Sequence, residues 1–465
     1  MPTVPIPIYL AEAESVTNFR DDPDANFADA RGVFASLVLL LLGCAVSASE
    51  PPASEALYHN SFDNPQQITP LFQRFESMKV VDGTLLVEHQ NGHPASPTLP
   101  IAFSDGVFRF RFQLAGAERL LCRLCILNGM ICDRTEHGTA TQQFHTGMPV
   151  LPRPSLGAWL MYGLGTENQN MPGFVVISPP AGSNMNCGTD FLPGIYQSTI
   201  LQDADKVDSE TIRYLLDKRL PRSMRRSQLE FLQELNANHA QRSGSDPDLE
   251  SMIEANELAF RMQSEAPQVL DLESETAETH SMYGIGEKET DAFGRQCLLA
   301  RRLAEADVRF IQVTSKQWDH HDTIEKLLPA SCHQVDKPIA GLLADLKARG
   351  LLDDTLVVWS GEFGRTPVYQ QIGGAKAKSK PPGRGHNPFG WSLFMAGGGV
   401  KPGFKYGATD EVGYSAVEGR VHIHDFHATV LHLLGLDHER LTFLHAGRPY
   451  RLTDVYGTVV NEVLA

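Results

Sequence analysis

Cations are scarce in this sequence. Its 465 residues carry 40 Lys and Arg against 56 Asp and Glu, a formal charge of −16. No compensating basic face is evident, which argues against nucleic acid as the main partner. A small cluster from Lys376 to Arg384 is the exception; it is read as a solvated loop or as a means of steering an anionic substrate. Long apolar runs are missing too. Val33–Ala48 falls short of the ~20 residues a spanning helix needs. Paired CxxC motifs are absent: Cys122 and Cys125 form a lone CxxC among seven cysteines. That argues against a zinc ribbon and leaves buried free thiols or one incidental disulfide.

What is present centres on Thr355–Pro367, TLVVWSGEFGRTP. Leu356–Trp359 is a short apolar run of the kind a strand buried on both faces requires. It leads into Glu362 in a glycine-flanked turn, with Arg365 three residues on. In open α/β sheets ligands collect at the carboxyl edge of the strands. A carboxylate there can reach a metal, and an arginine can grip an oxyanion. A solvated Glu–Arg turn explains the same residues equally well. Upstream, Arg309–Val313 reads as a second strand and runs into Trp318-Asp319-His320-His321-Asp322. Downstream, Gly383-Arg384-Gly385-His386-Asn387 offers another histidine. Two strands ending in metal-type ligands, with a third segment nearby, point to a metal or phosphate centre at one sheet edge.

The rest of the chain alternates strand and helix. A helix follows Pro154 with Ser155 at its start, and Pro172–Ile177 reads as a buried strand. Residues 207–263 read as helical, with a polar break at Arg242–Asp248. Helices over Gly294–Ala304 and Ile339–Arg349 lead into the two central strands. The alternation predicts an α/β fold with a mainly parallel sheet flanked by helices. His424, His427, Val430, Leu431 and Leu434 fall on one helix that Asp425 would start, so the histidines at 422–427 are read as structural.

These motifs, in order, resemble the bacterial family called domain of unknown function 1501, of the alkaline phosphatase and sulfatase superfamily. The resemblance rests on W-D-x-H at Trp318–His321, S-G-E-F-G-R-T-P at 360–367 and G-R-x-H-N at 383–387. It extends to AGGGVKPG at 396–403, YGATDEVGY at 406–414 and HIHDFHATVLHLLGLDHERLTF at 422–443. It runs from about Leu124 to the C-terminus and implies an alkaline-phosphatase-like domain over 117–465. It also implies a divalent cation, zinc or manganese by its mixed O/N donors, held by Asp319, His321, Glu362 and His386. Two ions about 4 Å apart could polarise a phosphoryl group. Arg365 would then clamp the oxyanion of a phosphate or sulfate ester, small or polymeric. No cysteine sits in the C-x-P-x-R context that sulfatases convert to formylglycine, which disfavours the standard sulfatase mechanism.

The front end departs from the family. No G-G-x-S-x-x-D-like segment occurs, so no nucleophile can be assigned; Thr139, Thr141 and Thr146 are only candidates. A β-rich stretch over 57–116 stands in that place, with a hairpin signal around Asp82-Gly83 and alternation from Val107 to Leu114. Residues 1–32 read as disordered or as a mis-assigned start. Val33–Ala48 resembles a signal peptide, with Leu41–Cys44 a lipobox that would anchor lipid at Cys44. Export to the periplasm, envelope or exterior is the expectation. The rival to an exported hydrolase is an exported, catalytically inactive binding or scaffold protein that keeps the fold. Oligomeric state is not legible.

Overall fold

The computed structural model describes residues 6–13, 77–81, 84–88, 124–179, 186–202, 221–244, 247–370 and 381–465. The chain divides into two compact units, 1–44 with 114–465, and 45–113. Within the smaller unit, β2 (Ser77–Val81) and β3 (Thr84–Glu88) pair antiparallel with Val81 opposite Thr84, as the hairpin signal around 82–83 implies. The expectations for 33–48, including Cys44, and for the alternation at 107–114 fall outside the described residues.

The larger unit is α/β. Its main sheet contains β1 (Ile6–Ala13), β4 (Cys125–Ile131), β5 (Phe174–Ile177) and β6 (Thr199–Leu201). It continues with β7 (Phe310–Lys316), β8 (Thr355–Ser360), β11 (Trp391–Ala396), β12 (Lys405–Tyr406) and β15 (Val421–His422). The order is β12-β4-β11-β8-β1-β7-β5-β6, with β15 also on β4. Among the described strands of this sheet only β11 runs antiparallel to its neighbours, so the sheet is mainly parallel. Separate ribbons pair β9 (Gly364–Gln370) with β10 (Gly383–Asn387), and β13 (Ala408–Thr409) with β14 (Ala416–Glu418).

One strand lies where disorder was expected. β1 is parallel to both neighbours, pairing Ile8 with Ile311 and Val357. The opening strand of the sheet is therefore Ile6–Ala13. Composition hid it, because eight residues amid acidic and proline-containing sequence give little periodicity, and central pairing is a long-range effect.

The helices include α1 (His137–Thr146) and α2 (Leu156–Leu164), where Ser155 accepts a hydrogen bond from Ala158 N as the helix-start residue. Of a helical pair, α3 (Arg222–Ser243) ends and α4 (Pro247–Leu270) begins inside the polar stretch. Then come α5 (Ala277–Met282), α6 (Asp291–Glu305) and α7 (Ile324–Ala348). Helix α7 begins fifteen residues before the expected Ile339. Pro329 and Pro338 argue locally against that extension. The buried side of Val335, Ile339, Leu342, Leu343 and Leu346 shows that packing overrides them.

The core lies on both faces of the sheet. On one, Leu298, Leu299 and Leu303 of α6 and Leu342 and Leu346 of α7 pack with Ile311, Val313 and Val357. On the other, Ala158 and Trp159 of α2 join Val176, Phe310, Leu356, Val358 and the last helix, α8 (Ile423–Leu433). Both faces of β7 and β8 are thus covered, which is why these strands read as continuous apolar runs. The described cysteines at 125, 132, 187, 297 and 332 are buried.

Candidate metal centre

β7 and β8 end at the same edge, and the turns leaving them form the site. The turn after β7 is bracketed by two residues in the left-handed region, Gln317 (φ 72°) and Thr323 (φ 52°). Such a conformation is unusual for any side chain and costly for a β-branched one. Thr323 is held there by its N–H on Pro381 O (2.9 Å) and its hydroxyl on Asp322 Oδ1 (2.9 Å). Between them lie Asp319 and His321.

The β9–β10 ribbon folds against this turn, and Arg384 N donates to His320 O at 3.0 Å. Only glycine fits at 383, since a Cβ there would lie 2.2 Å from His320 O and from the His321 carbonyl carbon. Gly383→Ala should therefore destabilise the protein by about 1–3 kcal/mol through overpacking. Chemical denaturation checks this, and an unchanged midpoint would show that the ribbon does not bear on the turn. The register slips between Arg384 and His386, which then stands opposite Arg365. Such bulges re-aim side chains beside sites.

Four side chains converge. The Nε2 atoms of His137, His321 and His386 lie 3.1, 2.9 and 3.1 Å from Asp319 Oδ1. One ligand atom from each of these four residues can lie within 4.8 Å of the others. The far ring nitrogens are held as well. His137 Nδ1 bonds a Glu362 carboxylate oxygen, His386 Nδ1 bonds Thr135 O, and His321 Nδ1 lies 2.6 Å from Gln370 Oε1. Carboxylate and carbonyl oxygens can only accept, so each Nδ1 carries the proton. Each neutral ring then turns an Nε2 lone pair toward an acceptor oxygen of Asp319. That arrangement is repulsive unless positive charge lies among the four, and it suits a divalent cation with His donors oriented from behind.

Without a cation, a proton on His137 meets the same need. Burial alone would lower the His137 pKa, yet hydrogen bonds to Asp319 and Glu362 and their charges raise it to about 9. Burial depresses the His321 pKa against the pull of Asp319. His320 faces elsewhere, 3.2 Å from Ser331 Oγ, and burial with the Arg365 charge lowers its pKa to about 4.

Asp319, His321 and His386 are brought together, and Arg365 with them. The Arg365 guanidinium donates to Asp319 Oδ1 (2.6 Å), Trp318 O (3.1 Å) and Arg384 O (3.3 Å), so it braces the turn. Glu362, expected to be a ligand, is not in the converging group. Its buried carboxylate stands behind His137 because the His137 ring lies between it and Asp319. In its place comes His137, the first residue of α1, whose backbone follows β4 at the same edge. Phe363 packs its ring on His137 and His386 at 4.8 and 4.3 Å between centroids. Glu362→Gln should weaken metal binding about 10–100-fold by removing the charge behind His137. Competition with a chelator measures it; wild-type affinity would show that the contact is passive.

The Thr139 and Thr146 hydroxyls donate to Glu136 O and Gln142 O of their own helix region. The cluster at 422–427 is structural. His422 and Asp425 form a capping box on α8, and His424 and His427 bond Gly147 O and Phe144 O at 2.7 Å. Beside the centre lies an open cleft of about 520 Å³, lined by Thr135, His321, Thr366, Tyr369, Gln370 and His386 among others.

A family model described as protein of unknown function (DUF1501) matches residues 110–464. Similar solved structures include the lipoteichoic acid synthase LtaP from Listeria monocytogenes. It is 12% identical with a TM-score of 0.34, covering 73% of this chain and 67% of that one. The PsFucS1 sulfatase from Pseudoalteromonas sp. is 12% identical (TM-score 0.31; 69% and 62% covered). Ps i-CgsB in complex with k-i-k-neocarrahexaose is 11% identical (TM-score 0.33; 70% and 66% covered). The chain spans less than two thirds of the length of the last two. No curated protein matches it.

Proposed function

We propose, from the premise that the chain belongs to the DUF1501 family of proteins of unknown function, that it is an exported, metal-dependent hydrolase of the alkaline phosphatase and sulfatase kind. Its substrate would be a phosphate or sulfate ester. One observation carries the reading: three histidines, each held from behind through Nδ1, aim Nε2 at a single carboxylate oxygen. His137, Asp319, His321 and His386 would hold the cation, and three nitrogens with one oxygen favour zinc, with manganese next. A bound cation of this kind supplies Lewis acidity toward an ester oxygen. Arg365 fixes Asp319 and adds positive charge that an ester oxyanion can use. The open cleft gives a substrate access beside His321 and His386.

Elemental analysis of the full chain, with His386→Ala beside it, tests the reading. Near-stoichiometric zinc or manganese in the parent and its loss in the variant are expected. A parent that takes up neither ion on reconstitution would remove the hydrolase reading. A second reading, a metal-binding scaffold without turnover, is favoured by the Thr139 and Thr146 hydroxyls being engaged with main-chain carbonyls. Bound metal with no turnover of aryl phosphate or aryl sulfate would select it.

A further inference from the structure

A hydrolase of this kind must also deliver a proton to the departing alcohol, and the cleft contains a phenol placed to do so. Tyr369 lines the same cleft as His321 and His386 and is about half exposed to it. Of the other hydroxyls lining it, Thr366 is committed to the ribbon, donating to Val368 O (2.9 Å) and accepting from Gly385 N (3.1 Å). The Tyr369 hydroxyl is directed instead at Glu325 Oε1, 3.1 Å away, in the first turn of α7. A phenol tethered to an exposed carboxylate is held in position while its proton stays available to a competing acceptor. The structural alternative, that this bond only pins β9 to α7, makes a different prediction.

We propose that Tyr369, oriented by Glu325, protonates the leaving oxygen of the ester. This rests on the hydrolase reading above. As water adds to the phosphorus or sulfur, the bond from that atom to the alcohol oxygen breaks, and its electron pair stays on the alcohol oxygen. That oxygen takes the Tyr369 proton and leaves as the alcohol. The phenolate regains a proton from the water that was consumed, so tyrosine returns unchanged. Burial, and then the Glu325 contact, raises the phenol pKa. The donor is therefore protonated at neutral pH and better matched to an alkoxide than to a nitrophenolate.

The test compares an alkyl and a 4-nitrophenyl ester of the same acid, using the full metal-loaded chain and its Tyr369→Phe and Glu325→Gln variants. Metal content is measured in each. Losing a general acid costs about 10²–10⁴-fold where the leaving group needs the proton. Tyr369→Phe should therefore slow the alkyl ester at least 100-fold, slow the nitrophenyl ester far less, and keep its metal. Glu325→Gln, which still accepts the hydroxyl, should fall between the parent and Tyr369→Phe. Equal losses on both esters would overturn the proposal in favour of a packing role, as would no loss on either. A metal-loaded parent that turns over neither ester fails at the hydrolase reading itself, and the proposal falls with it.

Discussion

A chain beginning at residue 14 should fail to fold to the native state. β1 lies between β7 and β8 and hydrogen-bonds to both, so its loss leaves two facing edges open through the middle of the sheet. Those strands carry the turns of Asp319 and of Glu362, so the site would be lost with the fold. Native domains are stable by only about 5–15 kcal/mol, a margin that the loss of a central strand with two ladders threatens directly. Circular dichroism and a thermal melt decide it. A cooperative transition at the parental temperature would show that β1 is dispensable. A proline at Leu10, which removes a backbone donor from a central strand, should also destabilise the fold. The result also bears on export, because cleavage near Cys44 or Ala48 would discard β1. N-terminal sequencing of the mature protein should find Ile6–Ala13 retained if the strand is needed.

Asp319→Ala should weaken metal binding by more than about 100-fold. Structural zinc sites are worth about 10–16 kcal/mol, or about 3 kcal/mol per ligand, so losing one ligand costs on the order of 100-fold in affinity. Asp319 contributes more than an average share. It is the carboxylate on which the three Nε2 atoms and Arg365 converge, and removing it leaves a partly buried guanidinium facing a cation. A loss beyond 100-fold is expected by calorimetric titration with zinc, with turnover falling at least as far. Affinity within tenfold of wild type would mean that the ion, if one binds, sits elsewhere. Asp319→Asn separates charge from shape, since the amide oxygen can still ligate.

Much of this was legible because it is local. Leu356–Trp359 and Arg309–Val313 are strands since continuous burial demands unbroken apolar residues, and that demand shows in the residues themselves. Ser155 caps a helix for reasons contained within four residues. Asp319 and His321 were recognisable from their spacing at a strand end, and His386 from its motif. What escaped is non-local. His137 lies where the family has an N-H-x-x-A segment but opens a helix with no periodicity to mark it as a donor, and only the parallel course of β4 brings it to the shared edge. The clue available was its position a few residues beyond a strand ending at that edge. Glu362 has the right chemistry and the right turn, but a ring intervenes, and no sequence pattern reports which of two neighbours stands in front. The strand character of Gly383–Asn387 is likewise imposed by β9, since glycine, arginine and histidine have little preference for it.

The four converging residues come from three segments spread from His137 to His386. In polymer terms, an ion among them is a reversible cross-link that closes very long loops, and loop closure of that length removes several kcal/mol of unfolded-chain freedom. The ribbon and the 318–322 turn, which meet at this point, would be loosened by loss of a bound ion. Susceptibility to proteolytic nicking there would then register the supply of metal, making the lifetime of the protein a function of ion availability as well as of its own sequence.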